Sequence, residues 1–188
     1  MSKLESFGKK GVRNWDLSHD LTKVNLTEST HASTFVPGLL YLDASDNLVS
    51  EDCLASGVLE GLENLLVMDL SENKLTSLPS GSLRGLRAAR RLDLSGNSVA
   101  SVSSGLFDHL EGLEDLSLKG NELSAFDISS LSESEDTLKK LDLSDNAILS
   151  LNSTSGAAFD KLEVLKMAGN KLQHLDLAPF RSLREAIH

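Results

Sequence analysis

The chain has 188 residues and a formal net charge of −10, and 40% of its residues are hydrophobic but only 4% are aromatic. The acidic excess argues against a nucleic-acid partner, because phosphate backbones are bound through a surplus of Lys and Arg, and it favours a partner with a basic surface. No apolar run reaches the length that spans a bilayer, so no membrane insertion by this segment is expected. Cys53 is the only cysteine, which excludes an internal disulfide and predicts a small buried apolar side chain.

Residues 1–38 are predicted to form an N-terminal flank with a degenerate capping repeat. The first residues carry charges without an apolar stretch, so they do not form a signal peptide. Trp15 and Leu17 have the spacing of a strand, in a register that aligns Asp16 with Asp43. Trp15 would then cover the end of the core, as a terminal repeat should. The alternative is an irregular cap in which Trp15 is simply buried.

The stretch 65–86, LLVMDLSENKLTSLPSGSLRGL, contains the unit that organises the rest of the chain. Met68 and Leu70 alternate with polar neighbours, which is the period of a half-buried strand. Pro79 and Gly81 follow, where the chain is predicted to turn back. The unit recurs at spacings of 26, 24, 24, 25 and 24 residues, and an asparagine marks the same position in each copy. These asparagines, for which we predict a structural role, are Asn47, Asn73, Asn97, Asn121, Asn146 and Asn170.

The repeated unit resembles the leucine-rich repeat, LxxLxLxxNxL, from Leu39 to about Leu183. The returning segments LPSGSLRGL and VSSGLFDHL are similar to the 24-residue subclass that is common in animal cell-surface receptors and secreted matrix proteins. The resemblance implies an α/β fold: a right-handed solenoid with a parallel β-sheet on its concave face and a mostly irregular or short-helical convex side. Residues 39–188 would then form six repeats, truncated at the start of a further repeat.

The strand positions that point away from the core are predicted to form a partner-binding concave face. Acidic residues dominate its N-terminal half, which predicts docking of a positively charged partner, whereas the alternative is an inert solvated surface. Two arginines on or beside this face are candidates for contacting an acidic group of a partner. The candidate partner-binding residues are Asp43, Asp46, Asp69, Glu72, Asp93, Asp142, Arg90 and Arg91.

The sequence does not predict an enzyme. It contains no phosphate loop and no HExxH, CxxC or GxSxG motif, and its five histidines are scattered. It also lacks the Asp-x-Asp-x-Asp loop of a calcium site. We therefore expect no catalytic residue, no cofactor and no metal.

The sequence predicts a protein–protein interaction module, and the resemblance favours part of an extracellular or receptor-type protein. Sequons at Asn25 and Asn152 are candidate glycosylation sites in that setting. The alternative is an intracellular scaffold or regulatory subunit, which the missing signal peptide and missing cysteine caps favour. The apolar edge of the last repeat predicts self-association, or coverage by another segment or partner.

Overall fold

The computed structural model describes residues 19–20, 38–154 and 156–187. Short strands alternate there with irregular returning segments. The strands are β1 (His19–Asp20), β2 (Tyr41–Asp43), β3 (Val67–Asp69), β4 (Arg91–Asp93), β5 (Asp115–Ser117), β6 (Phe126–Asp127), β7 (Lys140–Asp142), β8 (Ser150–Asn152), β9 (Val164–Lys166), β10 (His174–Leu175) and β11 (Glu185–Ile187). The helices are α1 (Glu51–Ala55) and a 3₁₀ helix (Ile128–Ser134).

Eight of these strands form one parallel sheet, in the order β1-β2-β3-β4-β5-β7-β9-β11. Successive side chains of a strand point to opposite faces, so a three-residue strand buries its middle residue and leaves its two outer residues on the other face. The buried middle residues, which pair in register, are Leu42, Met68, Leu92, Leu116, Leu141 and Leu165. We call the opposite surface, formed by the outer residues of these strands and the residue before each strand, the sheet face.

A second parallel sheet lies on the returning side of the repeats, in the order β10-β8-β6. The prediction of a parallel-stranded solenoid with few helices is confirmed, because α1 and the 3₁₀ helix are the only described helices. The second sheet adds regular backbone pairing to a side that the sequence predicts to be mostly irregular. No described helix is long and apolar enough to cross a bilayer.

The core runs continuously between the two sheets and is built mainly of leucine. Phe107 and Phe159 are its largest fully buried side chains, and the ring of Phe159 packs at 6.1 Å from that of Phe180. Cys53 is buried against this core, as expected from the sequence, and burial raises the pKa of its thiol. A thiol in this position stays protonated and therefore unreactive.

The register predicted for the N-terminal repeat is wrong. The structure pairs His19 with Leu42 and Asp20 with Asp43, so Asp20 rather than Asp16 lies beside Asp43. Both candidate segments contain Asp-Leu. Asp20 precedes Asp43 by 23 residues and Asp16 precedes it by 27, and both values lie one residue outside the spacings of 24–26 in the later repeats, so the sequence does not distinguish the two registers. Trp15 lies outside the described residues.

Candidate partner-binding surface

The asparagine in each repeat fixes the bend at the end of its strand. Asn97 Oδ1 accepts a hydrogen bond from Leu75 N–H at 3.1 Å, and its Nδ2 donates to the carbonyl oxygens of Leu70 and Leu94 at 3.0 Å each. Equivalent bonds are made by Asn73, Asn121, Asn146 and Asn170. The structural role predicted for this column is therefore confirmed, and the ends of the strands are held at constant positions.

Four of the five candidate aspartates occupy the last position of their strands, and one carboxylate oxygen of each closes the turn that follows. They are Asp43, Asp69, Asp93 and Asp142. Asp69 Oδ1 accepts hydrogen bonds from Ser71 N–H at 2.9 Å and from Ser71 Oγ–H at 2.6 Å. The same pair of bonds joins Asp43 to Ser45 and Asp93 to Ser95. Asp-x-Ser turns of this kind are a local sequence signal, which could have predicted the arrangement.

The other two acidic candidates, Asp46 and Glu72, lie in a tight turn beyond the strand. Their φ angles are 51° and 52°, in the left-handed region, where three of the equivalent positions are Gly96, Gly120 and Gly169. Both residues are exposed. The turn therefore displays a carboxylate at the edge of the sheet face in the first two described repeats.

The two arginine candidates are partly engaged within the sheet face itself. Arg90 Nη1 lies 3.3 Å from Glu114 Oε1, and Arg91 Nε lies 3.4 Å from Asp115 Oδ2. Glu114 is also contacted by Lys139 Nζ at 2.6 Å. This hydrogen bond from Lys139, with the nearby positive charges, holds the pKa of Glu114 below its ordinary value.

Further ion pairs neutralise the C-terminal half of the sheet face. Lys166 Nζ lies 3.4 Å from Asp142 Oδ2, which pairs the fourth candidate aspartate with a neighbouring strand. Arg184 Nη2 lies 3.6 Å from Glu163 Oε1. Both residues directly precede a strand, and the same row of positions contains Arg90, Glu114 and Lys139. Along this row the charges alternate in sign from repeat to repeat, so that each acid lies between two cations.

The N-terminal half of the sheet face has a different composition. Leu40 and Leu66 precede β2 and β3, and Tyr41 and Val67 begin these strands. All four side chains are partly exposed, Tyr41 by 39%. We call these four residues the apolar patch. The patch is not among the residues predicted from the sequence, although LLYLD and LLVMD place apolar residues where later repeats have charges.

Five acidic residues border the apolar patch, and we call them the acidic column: Asp43, Asp46, Asp69, Glu72 and Asp93. None of the five makes an ion pair with another residue that the structure describes. The described residues contain no cluster of His, Cys, Asp and Glu that could hold a metal ion. The N-terminal half of the sheet face therefore presents an apolar surface beside a row of carboxylates that make no ion pair with a described residue.

Comparisons with known proteins agree with this architecture. A family model for the leucine-rich repeat matches residues 52–99. The chain is similar to TLR13 in a crystal structure of the TLR13–ssRNA13 complex, with 26% identity and a TM-score of 0.72 over 99% of this chain and 26% of that one. An internalin, InlF of Listeria monocytogenes, shares the fold at 20% identity and a TM-score of 0.57, over 79% of this chain and 47% of that one. No curated protein sequence matches the chain.

The stacked parallel strands, the asparagine ladder and these matches together define a leucine-rich-repeat fold. The chain spans about a quarter of the length of the TLR13 chain (26%) and about half of the internalin chain (47%). Leucine-rich-repeat solenoids present extended surfaces for binding, and recognition is the function that this fold typically serves.

Proposed function

We propose that this chain is a protein-recognition module that binds a partner with a basic surface through the N-terminal half of its sheet face. The observation that carries the proposal is the contrast between the two halves of that face. The C-terminal half satisfies its own charges across neighbouring strands, whereas the acidic column contacts no cation among the described residues.

The spacing of the acidic column suits a partner that presents several basic side chains. Asp43, Asp69 and Asp93 lie on adjacent paired strands, which are about 4.8 Å apart. Like charges at that spacing repel one another, and a basic partner relieves the repulsion when it binds. A nucleic acid would add to the repulsion instead, so the same observation favours protein over RNA or DNA.

The apolar patch supplies the part of the interface that charge does not. Tyr41 is exposed at the N-terminal end of the patch, and tyrosine is among the residues that most often dominate binding energy at protein interfaces. Val67 pairs with Tyr41 at the start of the adjacent strand, and Leu66 directly precedes that strand. Apolar contacts lower the dissociation rate of the complex. The surrounding carboxylates determine which partner binds and raise its association rate.

The repeat spacing and the likeness to TLR13 support a further part of the proposal. We assign the chain to the ligand-recognition segment of a receptor-type protein, in preference to an intracellular scaffold. Asn152 is exposed at the end of β8, away from the sheet face, so a glycan there would leave the proposed interface open. Asn25 lies outside the described residues. The predicted self-association through the last repeat, where Leu177 is exposed, stays a separate proposal.

The test is affinity capture from a cell extract with two variants that change the net charge equally. The first carries Asp43→Asn, Asp69→Asn and Asp93→Asn, in which an amide oxygen can still accept the serine hydrogen bonds. The matched control carries Asp115→Asn, Asp142→Asn and Asp145→Asn in the C-terminal half. A partner is identified by mass spectrometry, purified and titrated against each variant by calorimetry.

We expect the first variant to lose about tenfold or more in affinity, and the control to bind nearly as the wild type does. Tyr41→Ala should weaken binding by about 2 kcal/mol, with little change in its salt dependence. Equal losses in the two charge variants would show a non-specific charge effect. Unchanged binding by the first variant would place the interface elsewhere. Either result would contradict the proposal.

A further inference from the structure

On the returning side, the fifth residue after five of the asparagines belongs to a second ladder of extended backbone, formed by Leu78, Val102, Phe126, Leu151 and Leu175. Leu78 pairs with Val102 in a parallel bridge. Phe126 pairs with Leu151, and Leu151 pairs with Leu175. In the described part of the chain, no pairing joins Val102 to Phe126, so this ladder consists of two segments with a gap between them.

The neighbouring row of backbone hydrogen bonds is interrupted at the same place. Ala100 N–H donates to Thr76 O at 3.3 Å, Leu149 N–H to Ser124 O at 3.2 Å, and Gln173 N–H to Leu149 O at 2.9 Å. The corresponding bond from Ser124 N–H to Ala100 O is absent from the described backbone. Glu122 N–H still reaches Val99 O at 3.0 Å, so the two repeats separate only beyond that point.

The gap coincides with a change of side chain within the ladder. Phe126 is aromatic, whereas the four other members of the column are leucine or valine. Its ring is buried, with 2% exposure, and occupies more of the core than its neighbour Val102. On the opposite side β4 and β5 remain paired in the main sheet. The solenoid is therefore continuous at the sheet face and open on the returning side only around Val102 and Phe126. Farther along the chain, Ser134 Oγ donates to Leu110 O at 2.6 Å and rejoins the two repeats.

A cleft of about 440 Å³ occupies this gap. Ser101 and Val102 line one wall, and Ala125 and Phe126 line the other. The volume lies within the range of about 300–1,000 Å³ that is typical of ligand sites. Each wall is the edge of an extended segment, and such an edge pairs readily with another strand.

We propose that this cleft binds an extended peptide segment as an added strand between Val102 and Phe126, with a basic side chain of the peptide directed to Asp108 and Asp127. Both carboxylates line the cleft. Main-chain hydrogen bonds to the two edges supply affinity, as in other cases of strand addition. The charge of the carboxylates selects a peptide that carries Lys or Arg. This site is separate from the sheet face and does not depend on the proposed function.

The environment of Asp127 favours the ionised form of its own carboxyl group. Burial raises its pKa, but hydrogen bonds from Thr154 Oγ at 2.7 Å and Ser129 N–H at 2.9 Å outweigh burial, and the net pKa is lowered. A carboxylate oxygen has two lone pairs, so these bonds leave acceptor capacity for a ligand. Asp108 is exposed at the other side of the cleft.

The test uses a capped synthetic peptide of alternating threonine and valine with one central lysine. Amide hydrogen exchange and amide chemical shifts are followed by NMR on the whole chain. We expect saturating peptide to slow exchange and shift resonances at residues 100–103 and 124–127. A second peptide, with proline at the two positions beside the lysine, should not bind, because proline has no N–H to donate.

Two variants and a control separate the site from other surfaces. Ala125→Trp fills the cleft from an exposed position and should abolish the shifts, while its thermal unfolding shows that the fold is kept. Asp108→Asn should lower the affinity for the lysine peptide by about tenfold. It should not lower the affinity for a peptide in which norleucine replaces lysine. The triple variant of Asp43, Asp69 and Asp93 should bind the lysine peptide as the wild type does.

Three results would overturn the proposal. One is slow exchange of Ser124 N–H without peptide, because its missing bond to Ala100 O would then be present and the ladder closed on itself. Another is unchanged binding by the Ala125→Trp variant. The third is the absence of shifts along both edges at saturating peptide, or shifts confined to the sheet face.

Discussion

The side chain of Asn97 joins two consecutive repeats, because its Oδ1 accepts the N–H of Leu75 while its Nδ2 donates to the carbonyl oxygens of Leu70 and Leu94. Leu70 belongs to the earlier repeat and Leu94 to the repeat of Asn97 itself. A single buried amide thus satisfies backbone groups that the bends of two strands leave without partners. Repeated along the chain, this contact keeps successive strands in register and makes the sheet face regular.

Asn97→Ala should destabilise the protein by about 3 kcal/mol, because the backbone groups that it satisfies would stay buried without partners. Urea unfolding measures the loss. Asn152→Ala is the matched control, since Asn152 is exposed and its replacement should change stability by no more than about 0.5 kcal/mol. Similar losses in both variants would contradict a special role for the buried amide.

Glu72→Gly should stabilise the fold by about 0.5–1 kcal/mol. Glu72 has a φ of 52°, a conformation that costs a side-chain-bearing residue about 1–2 kcal/mol, and glycine removes that cost at a smaller entropic penalty. Glu122→Gly, at an exposed position without a left-handed φ, should instead destabilise. The melting temperatures of the two variants should therefore move in opposite directions, and a lower melting temperature for Glu72→Gly would refute the argument.

Gly85→Ala should destabilise by about 3 kcal/mol, because a Cβ at this position would overlap the backbone carbonyl of Leu59 in the preceding repeat. Backbone cannot yield as a flexible side chain can, so adjacent returning segments would have to separate. Gly38→Ala has no heavy atom within 4 Å of the added carbon and serves as the control. Thermal unfolding of both variants measures the difference, and equal stability would show that the segments separate at little cost.

The ion pairs of Glu114 should make a small contribution to stability that depends on pH. Its folded-state pKa is lowered, so the contribution is present above the ordinary pKa of about 4.3 and is lost as the pH falls through the lowered value. Glu114→Gln should therefore be less stable than the wild type by under about 1 kcal/mol at neutral pH. Below the lowered pKa, the free energies of unfolding of Glu114→Gln and the wild type should become equal.

Salt provides an independent check of that prediction. Raising the ionic strength should reduce the difference between Glu114→Gln and the wild type, because exposed ion pairs are screened. Glu133→Gln, at an exposed position that makes no ion pair among the described residues, is the control. A difference for Glu114→Gln that persists in acid or in high salt would mean that the glutamate acts through packing.

The candidate site could be predicted from the sequence only in part. The repeat phase placed Asp43, Asp69 and Asp93 on the outer face of their strands, as the structure has them. It could not pair Arg91 with Asp115, because that ion pair depends on which residue of the next repeat lies opposite. The apolar patch requires no tertiary information, because Leu40, Tyr41, Leu66 and Val67 occupy positions in the sequence where later repeats have charged residues.

The sequence by itself determined the repeat, since a period of about 24 residues with one asparagine per copy requires stacked parallel strands. That information is local and recurs in every copy, so an irregularity in one repeat does not hide it. Only the tertiary structure decided the register of His19 and Asp20, the cross-strand ion pairs and the gap between Val102 and Phe126. These features depend on how one repeat meets the next, and side-chain volume and charge across that contact are not properties of either repeat alone.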